Sequence, residues 1–180
     1  MNSNTINNHK ILIDYESYGF KKNEGKFKPK LNTINEDYKF LVNFNEYGLK
    51  STDSLLITDY IVGEGTTSCI YQGEYNEQKV GIKTINKEWM SDIDYDFIKT
   101  EINIHSCLDH KNIIKFYKNY ETKNSIKLVL EYADTDLKQM MKKSRMNENE
   151  CKTVSLEIVN GLKYLHDKNI IHRDIKPSNI

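Results

Sequence analysis

The sequence predicts an α+β fold, with an antiparallel sheet laid down first and helices after it. Two observations predict this. The β-rich runs "LLITDYIVGEG", "TSCIYQGEY" and "QKVGIKTI" follow one another from Leu55 with only turn-sized gaps. The longest helical pattern, "MNENECKTVSLEIVNGLKYLHDKN", comes late. Strands therefore precede helices, which argues against a doubly wound parallel sheet.

Residues 1–54 are polar and rich in Asn, Lys and Tyr, broken by Gly19, Gly25, Pro29 and Gly48. "ILIDYESYGF" and "YKFLVNF" lack a sustained period, so this extension is expected to be mostly disordered. "KFKPKL" reads as solvated linker, with a docking tail as the sharper alternative. The boundary falls near residue 55, where the texture changes.

From there the elements run in order. "YNEQ" is a tight turn joining the second and third strands. "DYDFIKTEINIHSCL" puts Phe97, Ile98, Ile102, Ile104 and Leu108 near one helical face. "NIIKFYKNY" and "IKLVLEY" are further strands around the polar turn "ETKNS", and "TDLKQMMKKS" is a short amphipathic helix. The long helix opens with Asn147 as N-cap and Glu150 at N3, a capping box, and its buried face reads Val154, Ile158, Leu162, Leu165.

Composition narrows the function. The chain has 180 residues, 38% of them hydrophobic; its charged residues make up 29% and balance to a net charge of zero. No basic footprint argues for nucleic acid or an anionic membrane surface, and no apolar run approaches the ~20 residues that span a bilayer. "MNSNTINNHK" lacks the parts of a signal peptide, and Cys69, Cys107 and Cys151 are isolated, as reduced thiols of a cytoplasmic or nuclear protein would be.

Three stretches carry chemistry. "GEGTTSC", Gly63 to Cys69, is a glycine turn that lets backbone N–H groups approach phosphate oxygens. "VGIK" puts Lys83 on an apolar strand, where it either snorkels to solvent, as an arbitrary lysine usually does, or takes an anionic partner, and Glu101 on the next helix has the charge to hold it. "HRDIKPSN" offers Asp174 to accept a proton from an attacking hydroxyl, Lys176 to neutralise a transferring phosphoryl group, and the Asn179 carbonyl oxygen, which suits Mg²⁺.

In this order, residues 57–180 resemble the first half of a eukaryotic protein kinase domain: an N-terminal lobe of antiparallel sheet plus one helix, then the first helices of the C-terminal lobe. "KPSN" resembles the serine/threonine type, with a weak lean towards the mitogen-activated and cyclin-dependent branch. The resemblance implies ATP contacts from Ile61, Val62, Gly63, Glu64, Gly65, Thr66, Thr67, Ser68, Cys69 and Ile70. It implies that Lys83, paired with Glu101, binds the α- and β-phosphates. Leu130 would be gatekeeper, the Glu131–Ala133 backbone would face adenine, and Asp136 would stand near the ribose. Asp174 and Lys176 would be catalytic, and Asn179 a metal ligand.

Ser68 replaces the third glycine of the family's loop, Gly81 replaces an alanine, and His105 occupies an ordinarily apolar place. No D-F-G follows within the 180 residues, so the metal-binding aspartate is missing and the expectation is a kinase-like, ATP-binding, catalytically inactive chain. One alternative is an active serine/threonine kinase whose C-terminal half comes from another chain or from beyond an incomplete gene model. A plain interaction module is the other. The helix over 148–168 is expected to expose an apolar face that a protein partner would cover.

Overall fold

The computed structural model describes residues 40–41, 54–65, 68–88 and 90–180. They divide into two compact units, one made of the residues up to Cys107 with Phe116–Tyr132, the other of Leu108–Lys115 with Ala133–Ile180.

The first unit is a six-stranded antiparallel sheet: β1 (Phe40–Leu41), β2 (Leu55–Glu64), β3 (Ser68–Tyr75), β4 (Gln78–Asn86), β5 (Phe116–Glu121) and β6 (Ser125–Glu131), in the order β1-β2-β3-β4-β6-β5. The β3–β4 turn is two residues long, with φ of 48° at Asn76 and 64° at Glu77. Positive φ at both central positions matches the twist of paired strands. Asn76 is pinned there as well, since its Oδ1 accepts the Ser54 N–H at 3.0 Å and its own N–H reaches the Ser54 carbonyl at 2.9 Å.

Residues 80–85 of β4 are all buried, so apolar or paired groups are needed on both faces. Val80 and Ile82 join Leu55, Tyr120 and Val129 in a core on one face. By strand alternation Gly81 and Lys83 point to the other, in register with Leu130 and Leu128 on β6, and Lys83 with Ile70 on β3.

Helix α1 (Asp92–Ser106) begins in a capping box formed by Ser91 and Asp94. Its buried residues are Ile98, Glu101, Ile102 and His105. The apolar face expected from the sequence is therefore corrected: Phe97 is 46% and Ile104 37% exposed. At about 100° per residue these two fall together on one side of the 98–102–105 row, about 100° or more from its centre. Leu108 lies beyond the C-cap Cys107 and packs in the second unit.

That unit holds α2 (Leu137–Lys143), α3 (Glu148–Asp167) and a 3₁₀ turn, Pro177–Asn179. Asn147 and Glu150 form the expected capping box. Leu108, Ile113 and Leu165 make the core, with Leu162, Ile170 and Ile180 against it. His110 stacks on Tyr164 at 4.7 Å, and the Tyr164 hydroxyl accepts the Asp109 N–H at 2.9 Å. The bare apolar face expected on α3 is thus another correction: Val154 and Leu165 are buried within this chain, and the exposed apolar residues are Leu156 and Val159.

Of the N-terminal extension, Phe40–Leu41 add a short edge strand beside β2. "ILIDYESYGF", "KFKPKL" and the expected disorder lie outside the described residues.

Candidate functional site

In the sheet unit, the glycine turn closes between β2 and β3, where the Gly65 N–H donates to the Ser68 carbonyl at 2.8 Å. Pairing is irregular on the approach, with register shifts after Ile57 and Ile61 that loosen the strand end. Ile61 and Val62 are 40% and 37% exposed, and Glu64 and Gly65 are exposed too. Thr66 and Thr67 lie outside the described residues. Ser68 and Cys69 are buried, and Cys69 alternates onto the face away from Lys83, so what it presents on the Lys83 side is backbone.

Ile70 sits directly opposite Lys83. A Cβ on Gly81 would lie 3.6 Å from Ile70 Cγ2 and 3.7 Å from the Glu131 carbonyl oxygen, ordinary contact distances. The surface between Ile70 and the β6 backbone is therefore one methyl deeper than with alanine. Lys83 and Glu101 are 3% and 7% exposed. Burying either charge costs several kcal/mol unless it is compensated, so a cation on β4 and an anion on α1, both buried in one unit, carry opposite charges suited to each other.

A second polar cluster in this unit went unnoticed in the sequence. The Glu121 carboxylate at the end of β5 accepts from Lys87 Nζ at 2.5 Å, Tyr95 Oη at 2.7 Å and Lys99 Nζ. Burial alone would raise the Glu121 pKa, but the bonds from Lys87, Lys99 and Tyr95 outweigh it and hold the carboxyl at about 2. The bond that Lys99 donates to Glu121 also raises the Lys99 pKa. Only a charge pattern spread over three segments could have signalled this cluster.

In the second unit, the loop after α3 gathers its three predicted residues onto one oxygen. Asp174 Oδ2 lies 2.5 Å from Lys176 Nζ and 3.0 Å from Asn179 Nδ2, which also donates to the Asp174 carbonyl at 2.9 Å. His172, given no role in the sequence reading, accepts the Asp174 N–H on Nδ1 at 3.2 Å. Arg173 has φ of 69°, a left-handed conformation costing of order 1–3 kcal/mol. Asp136 caps α2, its Oδ1 accepting the Gln139 N–H at 2.7 Å, while Ala133 is exposed. The Leu137 N–H donates to the Ile180 carbonyl at 2.8 Å, tying the α2 start to the loop end.

With Nδ2 turned to Asp174, Asn179 keeps its carbonyl oxygen as a ligating atom. Mg²⁺ takes six oxygens, usually with one or two carboxylates and phosphate oxygens among them. Among the described residues no three His, Cys, Asp or Glu side chains converge, and Lys176 already neutralises Asp174. These residues do not make a complete metal site.

The sequence model of the protein kinase domain family matches residues 57–180. The chain belongs to that family. A probable myosin light chain kinase of Dictyostelium discoideum is 42% identical over 129 residues, covering 69% of this chain and 27% of its own. A mitogen-activated protein kinase homolog of Nicotiana tabacum is 31% identical over 173 residues, 92% of this chain and 43% of that protein. Among solved structures, Rad53 1–466 in complex with AMP-PNP superimposes with a TM-score of 0.61 at 27% identity, over 68% of this chain and 33% of that one. The chain thus spans less than half the length of these relatives. The sheet unit corresponds to a kinase N-terminal lobe and the helical unit to part of a C-terminal lobe.

Proposed function

We propose that this chain is the ATP-binding lobe and catalytic loop of a serine/threonine protein kinase. The observation that carries the reading is the convergence of Lys176 and Asn179 on the Asp174 carboxylate. In phosphoryl transfer a substrate hydroxyl oxygen attacks the γ-phosphorus, the bond to ADP breaks, and the hydroxyl proton goes to a carboxylate. Asp174 is the acceptor of that proton, and Lys176 neutralises charge on the transferring group. Lys83, paired with Glu101, holds the phosphates beside the Gly63–Gly65 backbone, and the Glu131–Ala133 backbone meets adenine. Gly81 leaves room for the ring between Ile70 and Glu131. The AMP-PNP in the Rad53 complex supports a nucleoside triphosphate as ligand.

Asn179 would supply one metal oxygen, and residues 1–180 by themselves are read as binding ATP without transferring its phosphate. A second reading, an active serine/threonine kinase whose C-terminal half comes from another chain or from beyond an incomplete gene model, is supported by the already assembled catalytic loop. A protein covering α3 would meet Leu156 and Val159. We read Cys69, Cys107 and Cys151, far apart in the sequence, as reduced thiols of a cytoplasmic or nuclear protein.

The test is thermal unfolding with ATP. At about a hundredfold excess over its dissociation constant, ATP should raise Tm by about 5–10 °C, and Lys83→Ala should abolish the rise. No shift in the parent chain would sink the nucleotide reading in favour of an interaction module.

A further inference from the structure

We propose that Glu121 is a positioning residue for nucleotide binding, a single carboxylate that sets the register of α1 against the strand carrying Lys83. The proposal rests on the reading of Lys83 as the phosphate-binding lysine.

Ile98 and Ile102 decide which face of α1 meets the sheet, but aliphatic packing is non-directional and does not decide where along the sheet the helix stops. Directional contacts do. At one end of β5, the His105 ring lies against Phe116 with centroids 5.4 Å apart. At the other end, Glu121 receives Tyr95 and Lys99. From Phe116 to Glu121 a strand rises about 17 Å. From Tyr95 to His105 a helix rises about 15 Å. The two lengths match, so α1 runs antiparallel to β5 and is held at both ends of it. Glu101 lies between the two clamps, and a slide of one helical turn, about 5.4 Å, would break both.

Lys87 makes the arrangement specific to the pair. It follows β4 four residues after Lys83, and it donates to Glu121 at 2.5 Å and to the Thr122 carbonyl at 3.0 Å. The end of the strand bearing Lys83 and the helix bearing Glu101 are therefore tied to the same side chain. A neutral amide at this position would face two ammonium groups without charge compensation.

The test uses the full chain and titrates ATP calorimetrically against Glu121→Gln, Glu121→Asp, Val129→Ala and Lys83→Ala. Val129 belongs to the core on the opposite face and serves as a control for stability loss alone. Glu121→Gln should weaken ATP binding about tenfold, Glu121→Asp should recover part of it, and Val129→Ala should stay within about twofold of the parent. An unchanged affinity in Glu121→Gln, or an equal loss in Val129→Ala, would overturn the proposal while Lys83→Ala still reports on the site. If the parent binds no ATP, the functional reading fails, and hydrogen exchange without nucleotide decides the clamp. Faster exchange confined to 98–105 in Glu121→Gln supports it, and unchanged exchange refutes it.

Discussion

Gly73 and Gly81 both lie in β-strands, and their surroundings lead to opposite expectations. A Cβ at Gly73 would stand 2.5 Å from the Leu56 carbonyl oxygen and 2.3 Å from Ile82 Cδ1. The isoleucine tip can move, but the paired backbone of β2 cannot do so cheaply. At Gly81 the same atom meets only ordinary contacts. Gly73→Ala should destabilise by about 1–3 kcal/mol, the range for overpacking a core. Gly81→Ala should stabilise by about 0.5 kcal/mol through lower unfolded-state entropy. Urea denaturation of both variants checks this, and equal effects would refute it. Nothing in the string "YQGEY" distinguishes Gly73 from a turn glycine; register with β2 and β4 does.

Among elements, the α1–β5 contact carries a pH dependence. The folded carboxyl of Glu121 titrates at about 2 against an ordinary 4.5, so the folded state holds fewer protons and stability rises with pH through that interval. The contribution is complete above about pH 5 and is lost as pH falls from there towards 2. With Glu121 about a quarter exposed and Lys99 somewhat more, solvent screening reduces it to about 1–2 kcal/mol. Denaturation at pH 7 and pH 3 should show Glu121→Gln losing less stability than the parent over that range, and equal losses would contradict it. The elements themselves were largely legible in the sequence. The Asn147 capping box, the "YNEQ" and "ETKNS" turns and the Val154–Leu165 spacing are local patterns that the structure repeats. The α1 face was legible only in part, because Glu101 and His105 occupy buried positions that a hydrophobicity pattern passes over.

For the whole molecule, the question is whether an assembled catalytic loop suffices. Asp174, Lys176 and Asn179 are in contact, yet the described residues bring no cluster of metal-binding side chains to them. Transition-state charge on a phosphoryl group needs that compensation, worth several kcal/mol. On the proposed reading of binding without transfer, residues 1–180 alone should transfer no phosphate from ATP to a basic Ser/Thr peptide. Radiolabel incorporation that disappears in Asp174→Asn would contradict this.

The sequence by itself determined the family, the order of strands and helices, and the catalytic loop, because those depend on residue types at short fixed spacings. The tertiary structure alone decided that Glu121 gathers Lys87, Tyr95 and Lys99, and that Gly73 admits no side chain. Those outcomes depend on strand register and on packing between segments far apart in the chain, where spacing along the sequence carries no distance information.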